Sequence, residues 1–300
     1  MAADNASQTA NSLRRFRRGT RCGHHRFDLP ARNTESMPAA RRVLVAVLAT
    51  VMALPLALAS PATAEPLQTS FAQLANTIPA NVGIAYAPVG QNGVNTLGNL
   101  QNGVAWSTIK VPLAIAAIHA NRPNAQDLAA RAVTASDNDA AEKLWSELGP
   151  APQAAQQVQA VLRAFGDAGT AVESRRLRPE FSAFGQTQWP LARQAVFAAH
   201  LPCMAAAAPV YSLMNNTVPD QRWGLAGVGA PTKGGWGPGP AGGYLVRQFG
   251  IVGTPNGQLA VALAAQPNNG SFDSGVAALN QMTEWLSANA AALPGGRCAR

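Results

Sequence analysis

Strand-forming patterns stand at two places far apart in this 300-residue chain, with a long helical stretch between them, and that order constrains the fold most. Asn81 to Val89 reads as a strand, Gly90-Gln91-Asn92-Gly93 as a hairpin turn, and Val94 to Leu97 as the returning strand, because Asn-Gly supplies the positive φ that a tight turn needs. Far downstream, the apolar runs Tyr244 to Gly253 and Leu259 to Ala265 are joined by Thr254-Pro255-Asn256-Gly257, a second hairpin signal. Helical patterns fill the interval: Val111 to Ala120, Ala125 to Thr134, Asp139 to Leu148, Ala151 to Phe165 and Pro190 to His200. Ser271 to Ala292 closes the chain as an amphipathic helix. Strands from both regions must share one sheet, so the expected fold is an α+β domain, an antiparallel sheet flanked by helices with an inserted helical subdomain. The expected α/β part is residues 65–106 and 217–300, and the helical part 107–216.

The formal charge of +8 points to no polyanionic partner, because it is concentrated in residues 1–64, which hold nine arginines and three acids. There, Arg41-Arg42, the apolar stretch Val43 to Ala59 and Pro61-Ala62-Thr63-Ala64 before Glu65 read as a secretory signal with a small-residue cleavage site. The start is Met1 or Met37. The apolar run holds Pro55 and is seventeen residues long, short of the roughly 20 a spanning helix wants, so no stable membrane insertion is expected after cleavage, a retained anchor being the alternative. Of three cysteines, Cys22 lies in this leader, and an exported chain retaining Cys203 and Cys298 is expected to pair them, the alternative being two buried thiols.

Chemistry concentrates at Trp106-Ser107-Thr108-Ile109-Lys110, just ahead of the first long helix. Serine and lysine three residues apart at a helix start share one face, and the unpaired N–H groups there stabilise an oxyanion and favour a neutral amine. The bland alternative makes Ser107 a helix cap and Lys110 a solvated side chain. Ser136-Asp137-Asn138 follows the second helix, where it reads either as a polar cluster of the site or as a helix-capping cluster, and Lys233-Gly234-Gly235-Trp236 begins the downstream strand region. Only three lysines occur, Lys110, Lys143 and Lys233, and two fall in these motifs. The aperiodic stretch from Asp167 to Gln188 is a long loop of the kind that commonly carries function. His119 and His200 have no partner at metal-ligand spacing and are expected to be structural, and no phosphate loop or nucleotide fingerprint is present.

The ordered set Ser-x-x-Lys, Ser-Asp-Asn and Lys-Gly-Gly resembles the penicillin-recognising serine hydrolases, most of all the class A β-lactamases, over nearly the whole expected mature chain. The resemblance implies an acyl-enzyme at Ser107, Lys110 as general base or relay, Ser136 as proton shuttle and Asn138 as a ligand for a substrate amide. It implies positive charge from Lys233 and an oxyanion hole from the N–H groups of Ser107 and Trp236, beside Gly235. It implies a monomer in the envelope or secreted fraction of a bacterium, acting on a β-lactam or peptidoglycan-like small molecule, with no nucleic acid and no metal or other cofactor.

Three departures accompany it. Glu173 stands 17 residues before Pro190, at the spacing of the family's deacylating glutamate, but Leu177 replaces the expected asparagine. It is either that base or a surface partner of Arg175, Arg176 or Arg178. Gly234 replaces a threonine or serine whose hydroxyl would bind a substrate carboxylate, for which Arg247 is a substitute unless it is merely exposed on an edge. The 29 residues from Ser107 to Ser136 are about half the family's interval, implying a shortened helical subdomain and a more open cleft. The expected activity is β-lactam hydrolysis; the alternatives are a D,D-peptidase or esterase, or a binding protein without efficient turnover.

Overall fold

A computed structural model describes residues 67–239 and 242–299 of the chain; the expected leader and Cys22 lie outside these residues. One antiparallel sheet in the order β2-β1-β5-β4-β3 is built from β1 (Ala80–Pro88), β2 (Asn95–Gly98), β3 (Thr232–Pro238), β4 (Tyr244–Thr254) and β5 (Gly257–Pro267). The two hairpins read from the sequence thus meet as expected, β1 running beside β5 from Ala80 opposite Pro267 to Pro88 opposite Leu259. Between β2 and β3 lie α2 (Lys110–His119), α3 (Ala125–Thr134), α4 (Asn138–Glu147), α5 (Ala151–Ala164), α6 (Leu191–His200) and α7 (Ala208–Leu213). α1 (Leu67–Thr77) precedes the sheet and α8 (Phe272–Ala288) follows it.

Alternation along the strands divides the core into two layers. Ile84, Val246, Val261 and Leu263 face α1 and α8, whereas Ala85, Ala87, Phe249, Ala260, Ala262 and Ala264 face the helical block. The alanines on that second face leave room for α6 to cross β1 and β5 closely. Because both faces are covered, the central strands read as continuous apolar runs.

The sequence pattern missed α1, whose helix is mostly polar, and whose Phe71 is anchored edge-on to Trp285 with centroids 5.1 Å apart. It also overran α8, which stops at Ala288 because Asn289 turns its Nδ2 back to the Trp285 carbonyl at 2.8 Å. α7 and the short 3-10 turns around it carry too little periodicity to be seen in sequence.

Cys203 and Cys298 form the expected disulfide, with Cα atoms 5.1 Å apart across 95 residues. It fastens a tail that already pairs with β5 through reciprocal Gln258 and Gly296 backbone bonds. Chain-entropy reasoning puts such a long loop at about 4 to 5 kcal/mol as an upper value. Cys298→Ser should therefore lower the melting temperature, and reductant should lower that of the wild type but not of the variant; equal melting of both proteins would contradict this.

Candidate active site

The segment before the proposed nucleophile is gripped from two sides. Residues 101–105 run beside 187–191, with Ala105 N–H donating to Thr187 O at 2.7 Å and Trp189 N–H to Gly103 O at 2.9 Å. From β4, Arg247 reaches under both segments, donating to the carbonyls of Gly103 (2.9 Å), Val104 (3.1 Å) and Trp189 (2.9 Å) and to Gln194 Oε1 (2.7 Å). Its guanidinium is 0% exposed, and burial lowers its pKa to about 9, still charged at neutral pH. Neither sequence reading of Arg247 survives: it is not exposed on an edge, and all its bonds go to the framework rather than into the cleft. The reason is register, since Arg247 sits opposite Gly235 on the helical face of the sheet, directly below the turn that carries Ser107.

Held this way, the chain passes through Trp106 at φ +49°, a left-handed conformation that is costly for a bulky residue. Trp106–Ile109 then forms a 3-10 turn that runs into α2. Ser107 caps nothing, and among the described residues its hydroxyl has no hydrogen-bond partner; its N–H is one of the orphan donors of a helix start. Trp106 packs edge-on against Phe181 at 4.9 Å, which fixes the indole to the loop.

The Ser-Asp-Asn triplet divides the two roles that the sequence left open. Asp137 is the cap of α4, accepting from Ala140 N–H at 3.0 Å. Ser136 ends α3 in a left-handed conformation, φ +59°, a position usually given to glycine. That turn brings Ser136 and Asn138 to the two motif lysines. Lys110 Nζ donates to Ser136 O (2.5 Å) and Asn138 Oδ1 (2.7 Å), and Lys233 Nζ donates to Ser136 Oγ (3.0 Å) and Gly234 O (2.9 Å).

Both amines are depressed. Burial lowers Lys110 to about 8, opposed by the charges of Asp137 and Glu142. Burial, then the proximity of Lys110, pushes Lys233 well below the usual lysine value. Two donated bonds use both protons of a neutral Lys110 amine and leave its lone pair for a third partner.

β3 closes the other side. A Cβ on Gly235 would stand 2.9 Å from the N atoms of both Ser107 and Thr108, so only glycine lets the strand lie this close to the Ser107 turn. Gly234 has the opposite orientation: in register with Gln248 and Leu263, it faces the α8 layer, and its Cβ would meet the Trp223 ring at 2.9 Å. The missing threonine thus has a steric reason. Trp236 lines the cleft edge and packs against Trp223 and Phe272 at 6.0 and 5.4 Å.

Trp106, Ser107, Lys110, Ser136, Asn138 and Trp236 line one cavity of about 250 Å³, with Glu142, Arg176, Glu180, Phe181 and Phe184 on the remaining walls; Lys233 and Gly235 stand behind this lining rather than in it. A larger cavity, about 420 Å³ between Pro231 and the end of α8, contains no lysine and none of the motif residues. The structure does not bring Glu173 into the Ser107 cavity. Arg175 Nε and Nη2 donate to its two oxygens at 3.0 Å each, and the Ser174 and Arg175 N–H groups donate to Oε1 at 3.0 and 2.8 Å. Chiefly because of the Arg175 side chain, its pKa falls to about 2. Sequence reasoning missed the cleft position of Glu142, although its place four residues after Asn138 puts both on one face of α4. Among the described residues no His, Cys, Asp and Glu groups cluster for a metal.

No family model matches the chain, and no curated protein matches it. Solved structures do. The chain is similar to the TLA-3 extended-spectrum beta-lactamase (TM-score 0.60, 14% identity, covering 73% of this chain and 96% of that one). It is similar also to a beta lactamase from Burkholderia vietnamiensis (0.57, 17%, 77% and 98%) and to a class A beta-lactamase from Bacteroides cellulosilyticus (0.57, 12%, 73% and 95%). At these identities the likeness shows the fold, which is β-lactamase-like.

A hydroxyl-bearing side chain at position 234 should be excluded on steric grounds. Gly234→Thr is expected to cost about 1 to 3 kcal/mol by overpacking against Trp223, read as a lower melting temperature that Trp223→Ala in the same chain partly reverses relative to Trp223→Ala alone.

Proposed function

We propose that the protein is an exported serine hydrolase that forms an acyl-enzyme at Ser107 and hydrolyses β-lactams. The observation that carries this is the meeting of Ser107, Lys110, Ser136 and Asn138 in one cavity, with a buried lysine of depressed pKa whose two donated bonds leave its lone pair available. The β-lactamase-like fold supports it.

In the proposed acylation, neutral Lys110 takes the Ser107 hydroxyl proton as Oγ attacks the lactam carbonyl. The N–H groups of Ser107 and Trp236 hold the developing oxyanion, each donor typically contributing a few kcal/mol. Ser136 Oγ, hydrogen-bonded to Lys233 Nζ, passes a proton to the departing nitrogen. The Asn138 side chain, with Oδ1 on Lys110, retains its amide N–H₂ for a substrate carbonyl. Water then cleaves the ester and releases Ser107.

A second reading, a D,D-peptidase, an esterase or a slow-turnover envelope binding protein, is favoured by the place of Glu173, whose carboxylate is held by Arg175 and its neighbouring N–H groups outside the Ser107 cavity. Intact mass after mixing with benzylpenicillin, beside Ser107→Ala and with ring opening followed by absorbance, separates these. A serine-dependent adduct with fast ring opening fits the hydrolase; a persistent adduct fits the slow-turnover reading; no adduct and no ring opening would remove the β-lactam assignment.

The neutral amine is the active form, and its fraction grows as pH rises toward the Lys110 pKa of about 8. The acylation rate should therefore climb about tenfold per pH unit well below that value and level off above it. A rate flat from pH 6 to 9 would deny Lys110 the role of base.

A further inference from the structure

Three glutamates lie near the Ser107 cavity, and they differ in what their oxygens already hold. Both Glu173 oxygens are bound by Arg175, Oε1 also accepting two backbone N–H groups, and the side chain does not line the cavity. Glu180 lines it, but is 56% exposed in a loose 3.4 Å pair with Arg178. Glu142 lines it from α4, one helical turn beyond Asn138, which accepts from Lys110. Its Oε1 accepts from Arg176 Nη2 at 2.8 Å, and among the described residues its Oε2 has no partner. The charge of Glu142 also opposes the burial that lowers the Lys110 pKa.

Resting on the acyl-enzyme reading above, we infer that Glu142, rather than Glu173, activates the water that deacylates Ser107. The Arg176 bond orients the carboxylate without burying it, since the two side chains are 50% and 34% exposed and such a solvent-facing pair adds little to stability. A water between Oε2 and the acyl carbon gives its proton to Oε2 while its oxygen bonds to that carbon. The tetrahedral intermediate then collapses, breaking the bond to Ser107 Oγ. Oγ regains a proton by way of Lys110, which is reprotonated from Glu142 through solvent, and the product leaves as a carboxylic acid. No other reactant is consumed.

The test is a time course of intact mass and ring opening with benzylpenicillin for wild type and Glu142→Gln, with Glu173→Gln and Glu180→Gln alongside. The expected result is that Glu142→Gln acylates within threefold of wild type but releases the acyl group at least 100-fold more slowly, while the other two variants stay within threefold in both steps. Glu142→Asp, which keeps a carboxylate on the same face of α4 at a shorter reach, should regain at least tenfold of the lost deacylation; a residue serving only the ion pair would not separate the two steps in this way. Deacylation of Glu142→Gln at the wild-type rate would overturn the inference, as would a trapped adduct in Glu173→Gln instead. Loss of acylation and deacylation together in Glu142→Gln would overturn it too, making Glu142 part of the framework. A wild type that never gains the adduct would remove the acyl-enzyme reading itself, a different result from any of these.

Discussion

The buried guanidinium of Arg247 is the interaction on which the site's geometry depends. A cation sealed in a core with no carboxylate is expensive, and here both terminal nitrogens are satisfied by four oxygens from two segments, those of Gly103, Val104, Trp189 and Gln194, while Nε has no partner among the described residues. Those segments lead into the Ser107 turn and out of the long loop, so one side chain from the middle of the sheet sets the spacing of both. Gln194 carries the connection on to Thr108 Oγ1 at 3.0 Å, and Thr108 Oγ1 donates to Ala105 O at 2.5 Å. The strained φ of Trp106 is held within that brace.

Above the brace, the electrostatics are those of two amines sharing one serine. Lys110 and Lys233 are 1% and 2% exposed, and each reaches Ser136, one at its carbonyl and one at its hydroxyl. Burial disfavours the charge of each, and nearness disfavours both being charged at once. The left-handed turn at Ser136 makes this possible because only Ala135, Ser136 and Asp137 separate α3 from α4, turning backbone and side chain to different lysines.

The two positions at which the sequence differs from the family it resembles also have physical content. Gly234 faces the α8 layer, where Trp223 fills the space a threonine would need, so that space belongs to an aromatic cluster of Trp223, Trp236 and Phe272. Glu173 is drawn to the arginine two residues on. The loop is nevertheless anchored at the cleft: Gln186 Nε2 donates to the carbonyls of Arg178, Phe181 and Ser182, and Arg178 Nη1 reaches Pro238 O at 2.6 Å, joining loop to strand.

The sequence by itself determined the α+β class, both hairpins, α3 to its last residue and the pairing of Cys203 with Cys298, because turn chemistry, periodicity and cysteine count are local signals. It also singled out Ser107, Lys110, Ser136, Asn138 and Lys233, since few residues in a lysine-poor chain occupy such spacings. Only the tertiary structure decided that Arg247 is internal, that Glu173 is occupied elsewhere and that Glu142 faces the cavity. Each of those depends on which face of a strand or helix a residue takes once its neighbours are packed, and on which of several nearby arginines reaches a carboxylate first. Spacing along the chain states neither.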